Sequence, residues 1–293
     1  MGKRYRFRLV AVWLMLMAAG CMKQETVELQ YYFEYDHDFP LNAHVEPLGD
    51  GLFHVSYYSV HAKRVPALLH LPETGEAPYP AIIMLHGIGD HKNADYMQIG
   101  DSIFTAAGFA VFRIDIDLHG ERELAFYPLK KARKFSYTLR NAMVQTVFDL
   151  RRAIDYLDSR NEIDSTRTAF LGISLGGIIG SVFCGVEPRV EYPMIALAGG
   201  GLRMALGTKG FSERIKNMLA PVEPLNFISR IAPRPVLFLN ATRDTVIPRV
   251  STEMLYDAAK EPKDIFWYDA PHHMPPVPVF QDCVRWLRKQ MTD

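Results

Sequence analysis

A serine, an aspartate and a pair of adjacent histidines are the residues of this chain whose types and order could support covalent chemistry. Ser174 stands in Gly172-Ile173-Ser174-Leu175-Gly176. A serine hydroxyl is a poor nucleophile at neutral pH, so it needs a base, and the base needs an acid to orient it. Asp244 lies in Asn240-Ala241-Thr242-Arg243-Asp244-Thr245-Val246-Ile247-Pro248, and His272 and His273 follow Asp269-Ala270-Pro271. Serine, aspartate and histidine in that chain order would suit acyl transfer, with the serine oxygen attacking a carbonyl carbon.

A Gly-x-Ser-x-Gly alone is weak, since average residue frequencies give roughly one chance in ten of meeting it in a chain of this length. Its setting carries more weight. The apolar run 168–171 leads into it and the helical pattern 178–182 leads out, so the serine falls on a sharp strand-to-helix turn. Such a turn needs glycine at Gly172 and Gly176 and pushes Ser174 into a strained, exposed position. The competing reading is a small-residue turn that lets helices pack closely. For Asp244 it is a turn aspartate capping the helix after Pro248, and for the histidines a surface loop.

The elements that would hold these residues follow from short, nearly continuous apolar runs, each ending in a turn and a helix: 81–85, 110–114, 168–171, 193–198, 236–239 and 264–268. Parallel strands covered on both faces read this way. Between them, 141–159 carries an apolar stripe of Ala142, Val147, Leu150, Ile154 and Leu157. Residues 27–33, 53–58 and 65–71 read as earlier strands, with Pro66 marking an edge or a strand start. The expected assembly is an α/β, doubly wound, mostly parallel sheet with an antiparallel N-terminal edge. Ligands of such sheets gather beyond the carboxyl ends of the strands, where Ser174, Asp244 and the histidines all fall.

On these residues the chain resembles the α/β-hydrolase superfamily, and within it the dienelactone-hydrolase and acetyl-xylan-esterase-like enzymes. The resemblance covers about residues 55–288, including Met84-Leu85-His86-Gly87-Ile88-Gly89-Asp90 and Ile114-Asp115-Ile116-Asp117-Leu118-His119-Gly120-Glu121-Arg122. It implies Asp244 as the acid and His272 as the base, with His273 the alternative. It also implies an oxyanion hole formed by the backbone N–H groups of Ile88 and Leu175, and a structural rather than basic His86. Dienelactone hydrolases use a cysteine where this chain has Ser174, so plain ester hydrolysis is implied rather than lactone chemistry. Small acyl esters or acetylated carbohydrates are the expected substrates. The insertions 127–137, basic and aromatic, and 199–228, expected as a small glycine-hinged cap, would shape the pocket.

Lysine plus arginine and aspartate plus glutamate number 33 each, so no net field favours nucleic acid. A metal site would have to recruit His86, Asp90, His91 and His119, without any His-Glu-x-x-His or cysteine-rich framework, and neither metal nor cofactor is expected. Lys3, Arg4, Arg6 and Arg8 precede the apolar stretch 9–19, which reads as an export signal over residues 1–20. Leu16-Met17-Ala18-Ala19-Gly20-Cys21 resembles a bacterial lipoprotein cleavage site. It implies lipidation of Cys21, a membrane anchor on the cell envelope, outer-membrane sorting in a diderm bacterium, and a catalytic domain over 21–293. Cys184 and Cys283 are expected as buried free thiols. Two rival classes share these features. A serine peptidase of the prolyl-oligopeptidase type fits less well, because it needs a large propeller and usually has tyrosine where Leu175 stands. A catalytically silent binding lipoprotein would not need all three residue types on strand-end loops.

Overall fold

The six apolar runs form parallel strands whose carboxyl ends lie in register, and that register is what assembles the site. The computed structural model describes residues 29–123, 137–204 and 212–292. The expected export signal, Cys21 and nearly all of the insertion 127–137 lie outside the described residues. The chain divides into two units, Met1–Tyr32 and Phe33–Asp293. Of the first, only Leu29–Tyr32 is described, as the start of a 3-10 turn.

Among the described residues, nine strands make one sheet in the order β1-β2-β3-β5-β4-β6-β7-β8-β9. They are β1 (His44–Gly49), β2 (Leu52–Tyr58), β3 (Arg64–His70), β4 (Tyr79–Leu85), β5 (Ala110–Ile114), β6 (Ile163–Ile173), β7 (Tyr192–Ala196), β8 (Val236–Ala241) and β9 (Lys263–Tyr268). From β5 to β9 all pairings are parallel, whereas β1, β2 and β3 run antiparallel to their neighbours. This is the expected doubly wound sheet with its antiparallel N-terminal edge. Register pairs Leu85 with Gly172, Ile173 with Ala196, Ala196 with Leu239, and Ala241 with Tyr268. The loops that follow β4, β6, β8 and β9 therefore emerge side by side.

Side chains alternate between the two faces of each strand. On one face Ile82, Met84, Val111, Leu171, Leu237 and Leu239 pack with α1 (Asp95–Ala106) and α6 (Pro276–Thr292). On the other, Phe112 stacks on Tyr156 of α2 (Tyr137–Asp158) and Phe170 meets Phe183 of α3 (Leu175–Val186), with ring centroids 5.5 and 5.2 Å apart. Phe238 meets Tyr256 of α5 (Arg249–Ala258) at 5.5 Å. Each fully buried aromatic of this kind contributes about 1.5–3 kcal/mol. Cys184 and Cys283 are buried free thiols, as expected.

Two expectations change and one is extended. Residues 29–33 form a 3-10 turn rather than a strand, because Phe33 is drawn inward against Phe148 and Phe227, with centroids 5.5 and 6.0 Å away, and no neighbouring strand offers it a ladder. Strand β3 is interior, not an edge. Pro66 is tolerated because β3 pairs with β5 only from Ala67 onward, so no bond to β5 is lost there. The apolar stripe of α2 is buried as expected, and the helix buries polar residues as well: Arg151 donates to Phe33 O at 2.6 Å, Arg152 to Phe39 O at 2.5 Å, and Asp155 accepts from Tyr35 Oη at 2.9 Å. The segment 33–39 thus covers the face left for solvent. Edge strand β1 carries no apolar alternation, and it pairs with β2 through a bulge at Pro47 to Gly49.

Beyond β5, Asp115 is fully buried and accepts three hydrogen bonds, from Lys92 N–H at 2.7 Å, Lys92 Nζ at 2.7 Å and Glu121 N–H at 3.1 Å. Lys92, itself buried, also pairs with Glu121. This node ties the segment after β4 to the segment after β5. Asp115→Ala leaves the backbone N–H groups of Lys92 and Glu121 unpaired and takes from the buried Lys92 ammonium one of its two carboxylates, and is expected to cost about 3 kcal/mol. Urea denaturation checks this, and the double variant Asp115→Ala/Lys92→Met is expected to recover part of the loss.

Candidate active site

At the end of β6 the backbone turns so tightly that Ser174 has φ +56° and ψ −116°, left-handed for a residue with a side chain. Such a conformation costs of order 1–3 kcal/mol. Two anchors hold it: Ser174 N–H donates to Ala196 O at 2.9 Å on β7, and Ile178 N–H closes the first turn of α3 on Ser174 O at 3.0 Å. Glycine is required on both sides. A Cβ at Gly172 would lie 2.2 Å from Gly176 O, and one at Gly176 would lie 2.4 Å from Leu85 O and 2.6 Å from His86 O. The turn is thus pressed against the end of β4, and Ser174 stands half-buried above the sheet.

The histidine loop follows β9 and the aspartate loop follows β8. They are joined by backbone bonds from Thr242 N–H to Tyr268 O at 2.9 Å and from Arg243 N–H to Ala270 O at 3.0 Å. Asp244 does not cap α5. Its Oδ1 accepts the N–H groups of Val246 and Ile247 at 2.8 and 2.9 Å, which leaves Oδ2 to accept from His272 Nδ1 at 2.7 Å. A carboxylate only accepts, so the proton of His272 sits on Nδ1 and Nε2 presents a lone pair. Ser174 Oγ lies 3.0 Å from that Nε2, so its hydroxyl donates to it. Asp244 and His272 have side chains only 6% and 14% exposed, so this chain of bonds is largely shielded from water. His273 is exposed, with its ring 5.9 Å centroid to centroid from that of His272 and inclined 73° to it. Of the two histidines, His272 is the one brought to Ser174.

The loop after β4 packs against the same serine, for a Cβ on Gly87 would lie 3.5 Å from Ser174 Cβ. Its fixing residues were not evident in the sequence. Gly87 N–H donates to Tyr96 Oη at 2.9 Å, and Tyr96 Oη donates to Asp90 Oδ2 at 3.2 Å. Burial, with Asp90 beside it, pushes the Tyr96 hydroxyl far above its ordinary range, so it stays protonated. With Gly87 N–H taken up, Ile88 N–H and Leu175 N–H are the neighbouring donors without a backbone acceptor among the described residues. Leu175 is the first residue of α3, where N–H groups have no intrahelical partner. His86 is fully buried, donating from Nδ1 to Gly87 O at 2.7 Å and accepting at Nε2 from Ile116 N–H at 3.1 Å. Burial lowers its pKa to about 4, and it braces the loop as a neutral ring.

Ser174, His272, Gly87 and Ile88 open onto a cavity of about 520 Å³. Val246, His273 and Asp95 form its exposed rim, and its deeper wall is apolar. The glycine run expected as a cap hinge is held rather than free: Gly201 N–H and Leu202 N–H donate to the Glu223 carboxylate at 2.8 Å each, and Gly200 N–H to Ser251 O at 2.9 Å. Short helix α4 (Glu213–Leu219) follows within the cap region, and residues 205–211 lie outside the described residues.

A family model described as acetyl xylan esterase (AXE1) matches residues 25–196, a stretch that contains Ser174 and the loop after β4. A putative hydrolase, YtaP, of Bacillus subtilis is 23% identical over 207 residues, 64% of this chain and 67% of that protein. Acetyl esterase Axe7A of Xylanibacter ruminicola is 27% identical over 239 residues, 73% of this chain and 53% of that one. The chain therefore spans about half to two thirds of the length of the curated relatives it matches. Among solved structures, an acetyl xylan esterase from Paenibacillus sp. R4 superposes with a TM-score of 0.70 at 20% identity, covering 85% of this chain and 89% of that one. Acetyl xylan esterase 1 from Thermoanaerobacterium sp. JW/SL YS485 gives 0.70 at 18% identity, with 89% and 92% covered. At these identities the structural likeness is one of fold.

The bracing role of His86 has a pH signature. In the unfolded chain an imidazole protonates near 6.5, whereas folded His86 holds off protonation to about 4. Its contribution to stability is therefore complete above about pH 6.5 and is lost as pH falls toward 4. Urea midpoints measured from pH 7.5 to 4.5 are expected to fall less steeply for His86→Asn than for the unsubstituted protein. Equal slopes would show that His86 is not held neutral.

Proposed function

The chain belongs to the acetyl xylan esterase family and has the α/β-hydrolase fold, and from that premise we propose that this carboxylic ester hydrolase works through Ser174, His272 and Asp244 by way of an acyl-enzyme. The unbroken hydrogen-bond chain from Asp244 through His272 to Ser174 Oγ, opening on the cavity, supports this reading. Small acyl esters and acetylated carbohydrates are the substrates suggested by the family description.

Ser174 Oγ attacks the ester carbonyl carbon while His272 Nε2 takes its proton, and Asp244 stabilises the imidazolium without itself becoming protonated. Negative charge gathers on the former carbonyl oxygen. Ile88 N–H and Leu175 N–H, fixed by backbone geometry, are the donors proposed for it. Collapse of the tetrahedral intermediate breaks the ester C–O bond, and His272 returns the proton to the departing alcohol. Water then repeats the sequence on the acyl-enzyme, releasing the carboxylic acid and restoring the serine. Preorganised donors suit this cycle because they need no rearrangement when charge appears.

Turnover of p-nitrophenyl acetate by protein spanning residues 22–293 is expected to fall by about 10⁴-fold or more in Ser174→Ala and in His272→Ala, and far less in His273→Ala. Retained turnover in Ser174→Ala would sink the assignment, and a reversed order of the two histidines would reassign the base.

The order of basic, apolar and small residues before Cys21 supports a further element of this reading, an exported protein anchored to the cell envelope through acylated Cys21. Mass spectrometry of the mature N-terminus from a bacterial host is expected to find Cys21 carrying diacylglycerol. An unmodified residue there would refute the anchor.

A further inference from the structure

We propose that Leu197 is a positioning residue of the reaction: its side chain, set on a strained backbone just past β7, wedges the loops of Asp244 and His272 into the geometry that serves Ser174. The inference rests on those three residues forming the catalytic set. Ser174 and Leu197 follow the ends of neighbouring strands β6 and β7, and both have positive φ, +56° and +51°, without being glycine. A Cβ is crowded in that region, so a non-glycine residue persists there only when its surroundings over-determine it. Leu197 is held in this way. Its N–H donates to Leu239 O at 2.8 Å, the preceding carbonyl of Ala196 accepts Ser174 N–H at 2.9 Å, and the following carbonyl of Ala198 accepts from Thr252 Oγ1 at 3.2 Å. Three glycines stand close by at 199–201, yet leucine occupies the position that glycine would adopt freely. The side chain must supply something that the turn alone does not need.

What it supplies is read from its neighbours. Leu197 is 5% exposed and forms one buried cluster with Ala241 and Ala270, against which Ile173, Tyr268 and Met274 pack. Ala241 ends β8 shortly before Asp244, Ala270 and Met274 flank His272 on either side, and Ile173 immediately precedes Ser174. Leu197 is the member that belongs to none of these segments. The backbone bonds between the aspartate and histidine loops fix those two loops to each other, but not to the strand of the nucleophile. β7 stands between β6 and β8 in the sheet, so a side chain at its end is placed to set that remaining relation. The small side chains of Ala241 and Ala270 leave the room that a leucine fills, and a close-packed contact of this kind transmits position.

Position matters because His272 Nε2 lies 3.0 Å from Ser174 Oγ, within the reach that proton transfer requires. Leu197 also lines the cavity beside Ser174, so contact with substrate is the competing role. Kinetics separates the two. His272 serves both half-reactions, so loosening it slows acylation and deacylation together, which lowers kcat and leaves KM nearly unchanged. A side chain that only binds substrate raises KM and leaves kcat.

Leu197→Gly isolates the side chain, since glycine is at ease at positive φ and the backbone strain is relieved while the wedge is removed. On the full chain with p-nitrophenyl acetate, Leu197→Gly and Leu197→Ala are expected to lower kcat about 10- to 100-fold with KM nearly unchanged. Leu197→Met, which restores the volume, is expected to recover most of that loss. A second measurement reads the base directly: the downfield proton resonance of His272 Nδ1–H, bonded to Asp244, is expected to be sharp in the unsubstituted protein and in Leu197→Met, and broadened or lost in Leu197→Gly. Undiminished kcat in Leu197→Gly, or a resonance that stays sharp there, would overturn the inference and leave Ser174 and His272 in their roles. A raised KM with kcat kept would make Leu197 a substrate contact, which also overturns it. Failure of the underlying reading looks different: Ser174→Ala would then keep its turnover.

Discussion

The site depends on one contact between two backbones. Where α3 leaves β6, Gly176 comes so close to the end of β4 that a side chain there would strike the carbonyl oxygens of Leu85 and His86. Strands β4 and β6 are parallel neighbours with Leu85 opposite Gly172, so this approach is a consequence of sheet register and not of any side-chain rotamer. The loop 86–90 and Ser174 are therefore fixed relative to each other by the most buried part of the molecule. Backbone donors placed in this way cannot swing, which is the property oxyanion stabilisation requires.

Other interactions are arranged outward from that contact. His86 spans from the loop after β4 to the loop after β5, and Asp115 binds both the main chain and the ammonium of Lys92 a few residues further on. Tyr96, held in turn by Asp90, takes up Gly87 N–H, which leaves the next amide along the loop, Ile88, as the donor on offer. On the far side, Asp244 spends one oxygen on two backbone amides and only the other on His272, so its orientation is settled before the histidine engages. A polar network of this kind is costly if partly satisfied and rigid when satisfied, and these members each have partners.

Much of this was legible in the residues and some was not, for identifiable reasons. Parallel strands covered on both faces appear as apolar runs, so 110–114 matched β5 to the residue and the other runs matched within two positions, except that β6 begins at Ile163, ahead of the run 168–171, with polar residues at 164–167. Ser174, Asp244 and the pair His272 and His273 stood out because few residue types can serve their chemistry and because all of them follow strands, whereas the choice of His272 came from the family resemblance. Strand β1 was missed, since an exposed edge has no apolar alternation to read. Residues 29–33 were misread because three aromatics in five residues suit a strand as well as they suit an anchor, and only Phe33's partners Phe148 and Phe227, far along the chain, decide between them. Tyr96 belongs to no motif that would single it out, and only its bonds to Gly87 and Asp90 give it a place at the site.

The strain at Ser174 is carried by elements on both sides of it. Ser174 is held at a positive φ, with its N–H bound to Ala196 O and its carbonyl oxygen taking Ile178 N–H. Helices α1 and α6 continue from the two loops at the serine, α1 following the loop after β4 and α6 following the loop of His272, and both pack on the same face of the sheet. The groups proposed to meet the transition state are thus fixed by one core layer, which spares them rearrangement when charge develops.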